Sequence, residues 1–141
     1  MMQTAVKRLL IVEDDDDTQE LLFRLFSRLS YAVTVVATAE EGLAKLREQP
    51  FDLVISDNQL RGGKTGSWMI AEAAADGVLE RTAILMYTAD DTAAPSEGVV
   101  LLSKPAPLDE LRLTAERAVN RARGRRAFQS RNDASPDSQR A

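Results

Sequence analysis

Carboxylates dominate the chemistry open to this 141-residue chain. Five acids stand in a row, Glu13-Asp14-Asp15-Asp16-Asp17, and another, Asp57, follows directly on the run Leu53-Val54-Ile55-Ser56. Two complementary groups close later apolar runs: Thr88 after Ile84-Leu85-Met86-Tyr87, and Lys104 after Val99-Val100-Leu101-Leu102-Ser103. Glu13, Asp14 and Asp57, converging without His or Cys, form a donor set for a hard divalent cation such as Mg2+. A lysine and a hydroxyl opposite them suit a phosphoryl group, the first as a point charge and the second as a hydrogen-bond donor. Asp57 is then a nucleophile of the aspartyl-phosphate kind. Each residue alone has a plainer explanation: Asp57 caps a turn, Thr88 caps a helix, Lys104 lies on the surface. Position separates them from that background. All five fall at the carboxyl ends of predicted strands, where open α/β sheets bind their ligands.

Those strands are read from apolar runs. Leu9-Leu10-Ile11-Val12 and Leu53-Val54-Ile55 are continuous and branched, as in strands buried on both faces. Ala32 to Val36, Thr82 to Tyr87 and Gly98 to Leu102 supply three more. Helices lie between them. Leu21, Leu22, Leu25, Phe26 and Leu29 mark one face of the first, and Asp15 to Asp17 cap and line its opening turn, where the helix dipole favours anions. Thr38 and Glu41 match a capping box for the second, with Leu43 and Leu46 inward and Pro50 just past its end. Trp68 to Ala75 is an alanine-rich third helix. Pro107 opens the last, with Leu108, Leu111, Ala115 and Ala118 inward. Asp90 to Gly98 is broken by Pro95 and Gly98 and predicts a loop with at most a turn or two of helix. Strands alternating with helices imply right-handed crossovers and a parallel sheet. The expected fold is a flavodoxin-like three-layer α/β sandwich with five parallel strands in the order 2-1-3-4-5, the fourth helix shortened or absent.

Composition narrows the function classes. With no cysteine and no histidine, disulfides, thiol chemistry, imidazole acid–base catalysis and nearly all zinc sites are excluded. No apolar run reaches membrane-spanning length and no signal-peptide h-region opens the chain, so a cytoplasmic protein is expected. Residues 1–120 hold 12 Lys/Arg against 20 Asp/Glu, a charge of −8, whereas residues 121–141 hold six Arg against two Asp, or +4. The acidic body argues against nucleic-acid binding by the folded part. The expected organisation is one domain over 1–120 followed by a basic, disordered tail over 121–141, too polar and short for an output domain.

Leu9-Leu10-Ile11-Val12-Glu13-Asp14, Asp52-Leu53-Val54-Ile55-Ser56-Asp57, Ile84-Leu85-Met86-Tyr87-Thr88-Ala89 and Lys104-Pro105, as a set in this order, resemble the receiver (CheY-like) domain of two-component response regulators. The resemblance covers roughly residues 7–120. It implies phosphoryl transfer to Asp57 from a histidine kinase or phosphotransfer protein. Glu13, Asp14, Asp57 and the backbone carbonyl of Gln59 would hold Mg2+, and Thr88 and Lys104 would bind the phosphoryl oxygens. It implies a phosphoacceptor that assists its own phosphorylation and dephosphorylation, not an enzyme. With no output domain expected, the signal would leave through an interaction with a downstream protein target.

Three departures accompany the match. Arg61 stands where receivers carry a proline four residues past the phosphoacceptor, and Gly66 falls one residue late, as if Gly62-Gly63-Lys64 held an insertion. Leu101 occupies the place of the aromatic switch, three before the lysine. The segment from Thr88 to Lys104 is short. These departures keep open an alternative, a pseudo-receiver that binds a protein partner without phosphorylation. Two further readings are set aside. Gly62-Gly63-Lys64-Thr65 lacks the leading glycine of a P-loop, since Asn58 is there, and the acidic run lacks the alternating ligands of an EF-hand.

Overall fold

The computed structural model describes residues 6–90 and 96–134. Continuous branched runs become strands β1 (Arg8–Val12), β2 (Ala32–Val36), β3 (Leu53–Ser56), β4 (Ala83–Thr88) and β5 (Val99–Ser103). Helices α1 (Asp16–Arg28), α2 (Ala39–Glu48), α3 (Gly66–Ala75) and α4 (Leu108–Ala134) connect or follow them. All strand pairs are parallel and the order is β2-β1-β3-β4-β5, as expected. Among the described residues no helix stands between β4 and β5. Residues 91–95 of the short segment expected there lie outside the described residues. No helix of the described residues is long and apolar enough to cross a membrane.

Strand alternation splits the core into two layers. Leu9, Ile11, Leu53, Ile55, Leu85 and Tyr87 face α1 and α4, packing on Leu22, Phe26, Leu111 and Ala115. Leu10, Val12, Val54, Ile84 and Met86 face α2 and α3, packing on Leu43, Leu46, Met69 and Ala73. The central strands β1, β3 and β4 are buried almost throughout, which holds their carboxyl ends in fixed register. On the α2–α3 side, β5 is only partly covered. An open groove of about 390 Å³ runs there, lined by Ile70, Ala74, Ile84, Met86, Val99 and Leu101.

The caps form as their residue types require. The Asp15 carboxylate accepts the Thr18 N–H at 2.9 Å, and Thr38 and Glu41 close the capping box on α2. Two apolar expectations need correction. Leu21 is 39% exposed, because the buried stripe of α1 runs through Leu22 and Phe26 and a neighbour 100° round the helix cannot share it. Leu108 is also exposed, because it stands in the first turn of α4, whose buried residues begin at Leu111. The tail differs too. Instead of a disordered segment from residue 121, α4 continues to Ala134, and Ala122 is buried in the core. Arg, Ala and Gln are good helix formers, and prolonging an anchored helix avoids the cost of nucleating one. Low apolar content argued against a core, not against a helix. The remainder of the expected tail, residues 135–141, lies outside the described residues.

Candidate functional site

β1, β3 and β5 end side by side or one strand apart, and their last residues deliver the acids and the lysine to one place. Carboxylate oxygens of Glu13, Asp14 and Asp57 all lie within 4.8 Å of one another. Lys104, the first residue after β5, bridges two of them: its Nζ donates to Glu13 Oε1 at 2.8 Å and to Asp57 Oδ2 at 2.9 Å. The ammonium also stands 5.6 Å from the centre of the Tyr87 ring, a cation–π contact that steadies it from below. Tyr87 is itself held by the turn after β5, where the Ala106 N–H donates to its hydroxyl at 3.1 Å.

The second oxygen of each carboxylate is engaged by backbone. Glu13 Oε2 accepts the Asp15 N–H at 3.1 Å, while Asp57 Oδ1 accepts the N–H groups of Asn58 at 2.7 Å and Gln59 at 3.3 Å. Burial differs between the two. The Glu13 side chain is 2% exposed and that of Asp57 is 12% exposed, so Asp57 meets solvent while Glu13 is sealed behind it. Burial raises the pKa of Glu13, the bonds from Lys104 and the Asp15 amide oppose the rise, and the net shift is upward. For Lys104 burial is the largest single influence and lowers the pKa. The hydrogen bonds and charges of Glu13 and Asp57 together outweigh it, and the net shift is upward. The lysine is a committed cation.

Three carboxylates against one ammonium leave two negative charges, the charge of one divalent cation. The donor set is all oxygen, clustered, and open to solvent at Asp14 and Asp57, and therefore fits a hard ion such as Mg2+. Thr88 is placed less directly. It is buried at the end of β4, its hydroxyl accepts the Asp90 N–H at 3.0 Å, and among the described residues no hydrogen bond joins it to the Asp57 carboxylate. Gln59 follows Asp57 in the loop and contacts it through its N–H.

Six residues outside the expected set support the site. Gly66 lies so close under the loop that a Cβ there would overlap the Asp57 carbonyl oxygen and sit 2.8 Å from Ser56 Oγ. The late glycine therefore still reaches the strand that carries Asp57. Gly62 and Gly63 absorb the extra length in positive-φ turns at 96° and 90°. Arg61 donates to the Asp14 carbonyl at 3.1 Å and bridges to Thr38 through its backbone, tying this loop to both neighbours. Asn58 is buried and its side chain makes three hydrogen bonds, two with Ser67 and one with Asp90. Tyr87 is the sixth, by the contacts described. The shifted spacing of Gly66, the extra Gly62 and Gly63 and the out-of-place Arg61 left a mark in the sequence; Asn58 and Tyr87 did not.

A family model described as the response regulator receiver domain matches residues 9–116. A curated relative, the response regulator receiver protein CpdR of Brucella abortus (strain 2308), is 33% identical over 52 residues. That match takes in 37% of this chain and 43% of the relative, less than half its length. Among solved structures, the signal receiver domain of an HD domain-containing protein from Pseudomonas fluorescens Pf-5 superposes with a TM-score of 0.79. It is 25% identical, over 90% of this chain and 96% of that one. The receiver domain of the hybrid histidine kinase CckA is 27% identical, with a TM-score of 0.69 over 79% and 98% of the two chains.

Proposed function

The chain belongs to the response regulator receiver domain family, and from that premise we propose that Asp57 accepts a phosphoryl group from a histidine kinase or phosphotransfer protein. The observation that carries this reading is the bond from Lys104 Nζ to Asp57 Oδ2 at 2.9 Å, made inside a cluster of three carboxylates. A carboxylate oxygen of Asp57 attacks the phosphorus of a phosphohistidine. The new P–O bond forms as the P–N bond breaks, and the electron pair returns to the imidazole nitrogen of the donor. Lys104 balances charge on the phosphoryl oxygens. The N–H groups of Asn58 and Gln59 hold the carboxylate in line. Thr88 donates its hydroxyl to a phosphoryl oxygen once the group is in place. Glu13, Asp14, Asp57 and the Gln59 carbonyl would hold Mg2+, which when bound supplies further positive charge to the transferring group.

In this reading the chain is a phosphoacceptor that assists its own phosphorylation and dephosphorylation, and it signals by binding a protein target. One observation favours the alternative of a phosphorylation-independent binding module: the switch position holds Leu101, 38% exposed beside the open groove. The two readings separate on a Phos-tag gel. Incubation with phosphoramidate and Mg2+ yields a retarded band that chelation with EDTA prevents. A protein that never shifts is the binding module.

A further inference from the structure

Asn58 immediately follows the phosphoacceptor, yet its side chain turns away from solvent and is 7% exposed. Its Oδ1 accepts both the N–H of Ser67, at 2.8 Å, and the Ser67 hydroxyl, at 2.7 Å, at the start of α3. Its Nδ2 donates to Asp90 Oδ2 at 2.9 Å, two residues past the end of β4. Its backbone is pinned as well: the N–H donates to Asp57 Oδ1 at 2.7 Å and the carbonyl accepts the Gly66 N–H at 2.8 Å. Asp90 closes the chain of bonds by donating its own N–H to the Thr88 hydroxyl at 3.0 Å. One residue therefore touches the phosphoacceptor, the opening of α3 and the exit of β4.

We propose that Asn58 is a positioning residue that couples the state of Asp57 to the opening of α3 and to the segment after Thr88, a coupling that needs no aromatic ring at position 101. The inference rests on the phosphoacceptor reading and adds its route of response. A phosphoryl group on Asp57 draws on the Thr88 hydroxyl, and Thr88 is bonded to Asp90. Asp90 cannot follow without loading its bond to the Asn58 amide, and the same amide is fixed on Ser67. A buried amide satisfied by three hydrogen bonds transmits such a shift because any slack would leave a polar group unpaired.

An amide–carboxylate exchange tests this without removing any side-chain volume. Asn58→Asp sets two carboxylates face to face and breaks the link. Asn58→Asp combined with Asp90→Asn restores the bond between 58 and 90 with donor and acceptor reversed, and a carboxylate at 58 still accepts from Ser67. Binding of beryllofluoride is followed by NMR, reading its affinity and the amide signals of Ser67 and Asp90, while circular dichroism reports the fold. In the wild type both amides shift on binding. In Asn58→Asp the affinity falls about tenfold, the worth of one buried hydrogen bond, and the Ser67 amide no longer follows Asp90. The double variant recovers both readouts. A single variant that matches the wild type in both, or a double variant no better than the single, overturns the coupling. A wild type that binds no beryllofluoride overturns the phosphoacceptor reading itself, and the coupling with it.

Discussion

At the scale of single residues the site is an argument between burial and charge. Glu13 is the most enclosed carboxylate of the cluster, and burial lifts its pKa above its ordinary value of 4.5. A raised folded-state pKa means that the native protein holds the proton more tightly than the unfolded chain. The associated stability is present below 4.5 and is lost as pH rises through the folded value. Lys104 limits that loss. Lys104→Met therefore steepens the fall in unfolding free energy between acid and neutral pH in EDTA, by about 3 kcal/mol at neutral pH, and Mg2+ recovers part of it. An identical pH profile in both proteins contradicts the pairing. Gly66→Ala fails for a different reason, because the new methyl meets backbone at Asp57 that cannot step aside. The expected cost is roughly 1–3 kcal/mol in chemical denaturation, with slower phosphoryl uptake. Glu13, Asp14, Asp57 and Lys104 were legible in sequence because each ends or follows an apolar run. Asn58 and Tyr87 were not, since their roles rest on contacts with Asp90 and Lys104, residues remote in the chain.

At the scale of elements, local rules account for the helix starts and packing accounts for the departures. Asp15 caps α1, and the hydrogen bonds from the Thr18 hydroxyl and N–H lower its pKa from 3.8. A depressed pKa contributes stability that is present above 3.8 and lost as pH falls through the folded value. Asp15→Ala should flatten the acid limb of the Tm profile below that pH and leave the neutral-to-alkaline limb unchanged in slope, as thermal melts across pH will show. The caps at Asp15 and Thr38 could be read directly because their partners are three residues away. The length of α4 could not, because composition reports whether a segment can build a core and not whether an anchored helix will run on. Leu101 shows the same limit from the other side. Its position on β5 was clear, whereas its place on the rim of an open groove depends on what fails to cover β5.

At the scale of the whole molecule, topology does the gathering. The order β2-β1-β3-β4-β5 places the ends of β1 and β3 in contact and those of β4 and β5 beside them, so residues 13, 57 and 104 meet, and 88 ends the strand between, without any local sequence signal joining them. Alternation of apolar runs with helical stripes made that order predictable; the insertion around Gly62 and Gly63 did not disturb it, because the extra length stays in the loop. Binding of Mg2+ to the native cluster alone must stabilise the fold by linkage, by about 2.7 kcal/mol at a hundredfold excess over Kd, or roughly 5–10 °C in Tm. Asp14→Ala removes most of that shift, and a shift equal to that of the wild type would put the metal elsewhere. The central claim, that Asp57 is the phosphoacceptor, is tested most directly by intact-mass spectrometry after incubation with acetyl phosphate and Mg2+. The account predicts one added phosphoryl group on the wild type and none on a folded Asp57→Asn variant; an equal mass gain in both would contradict it.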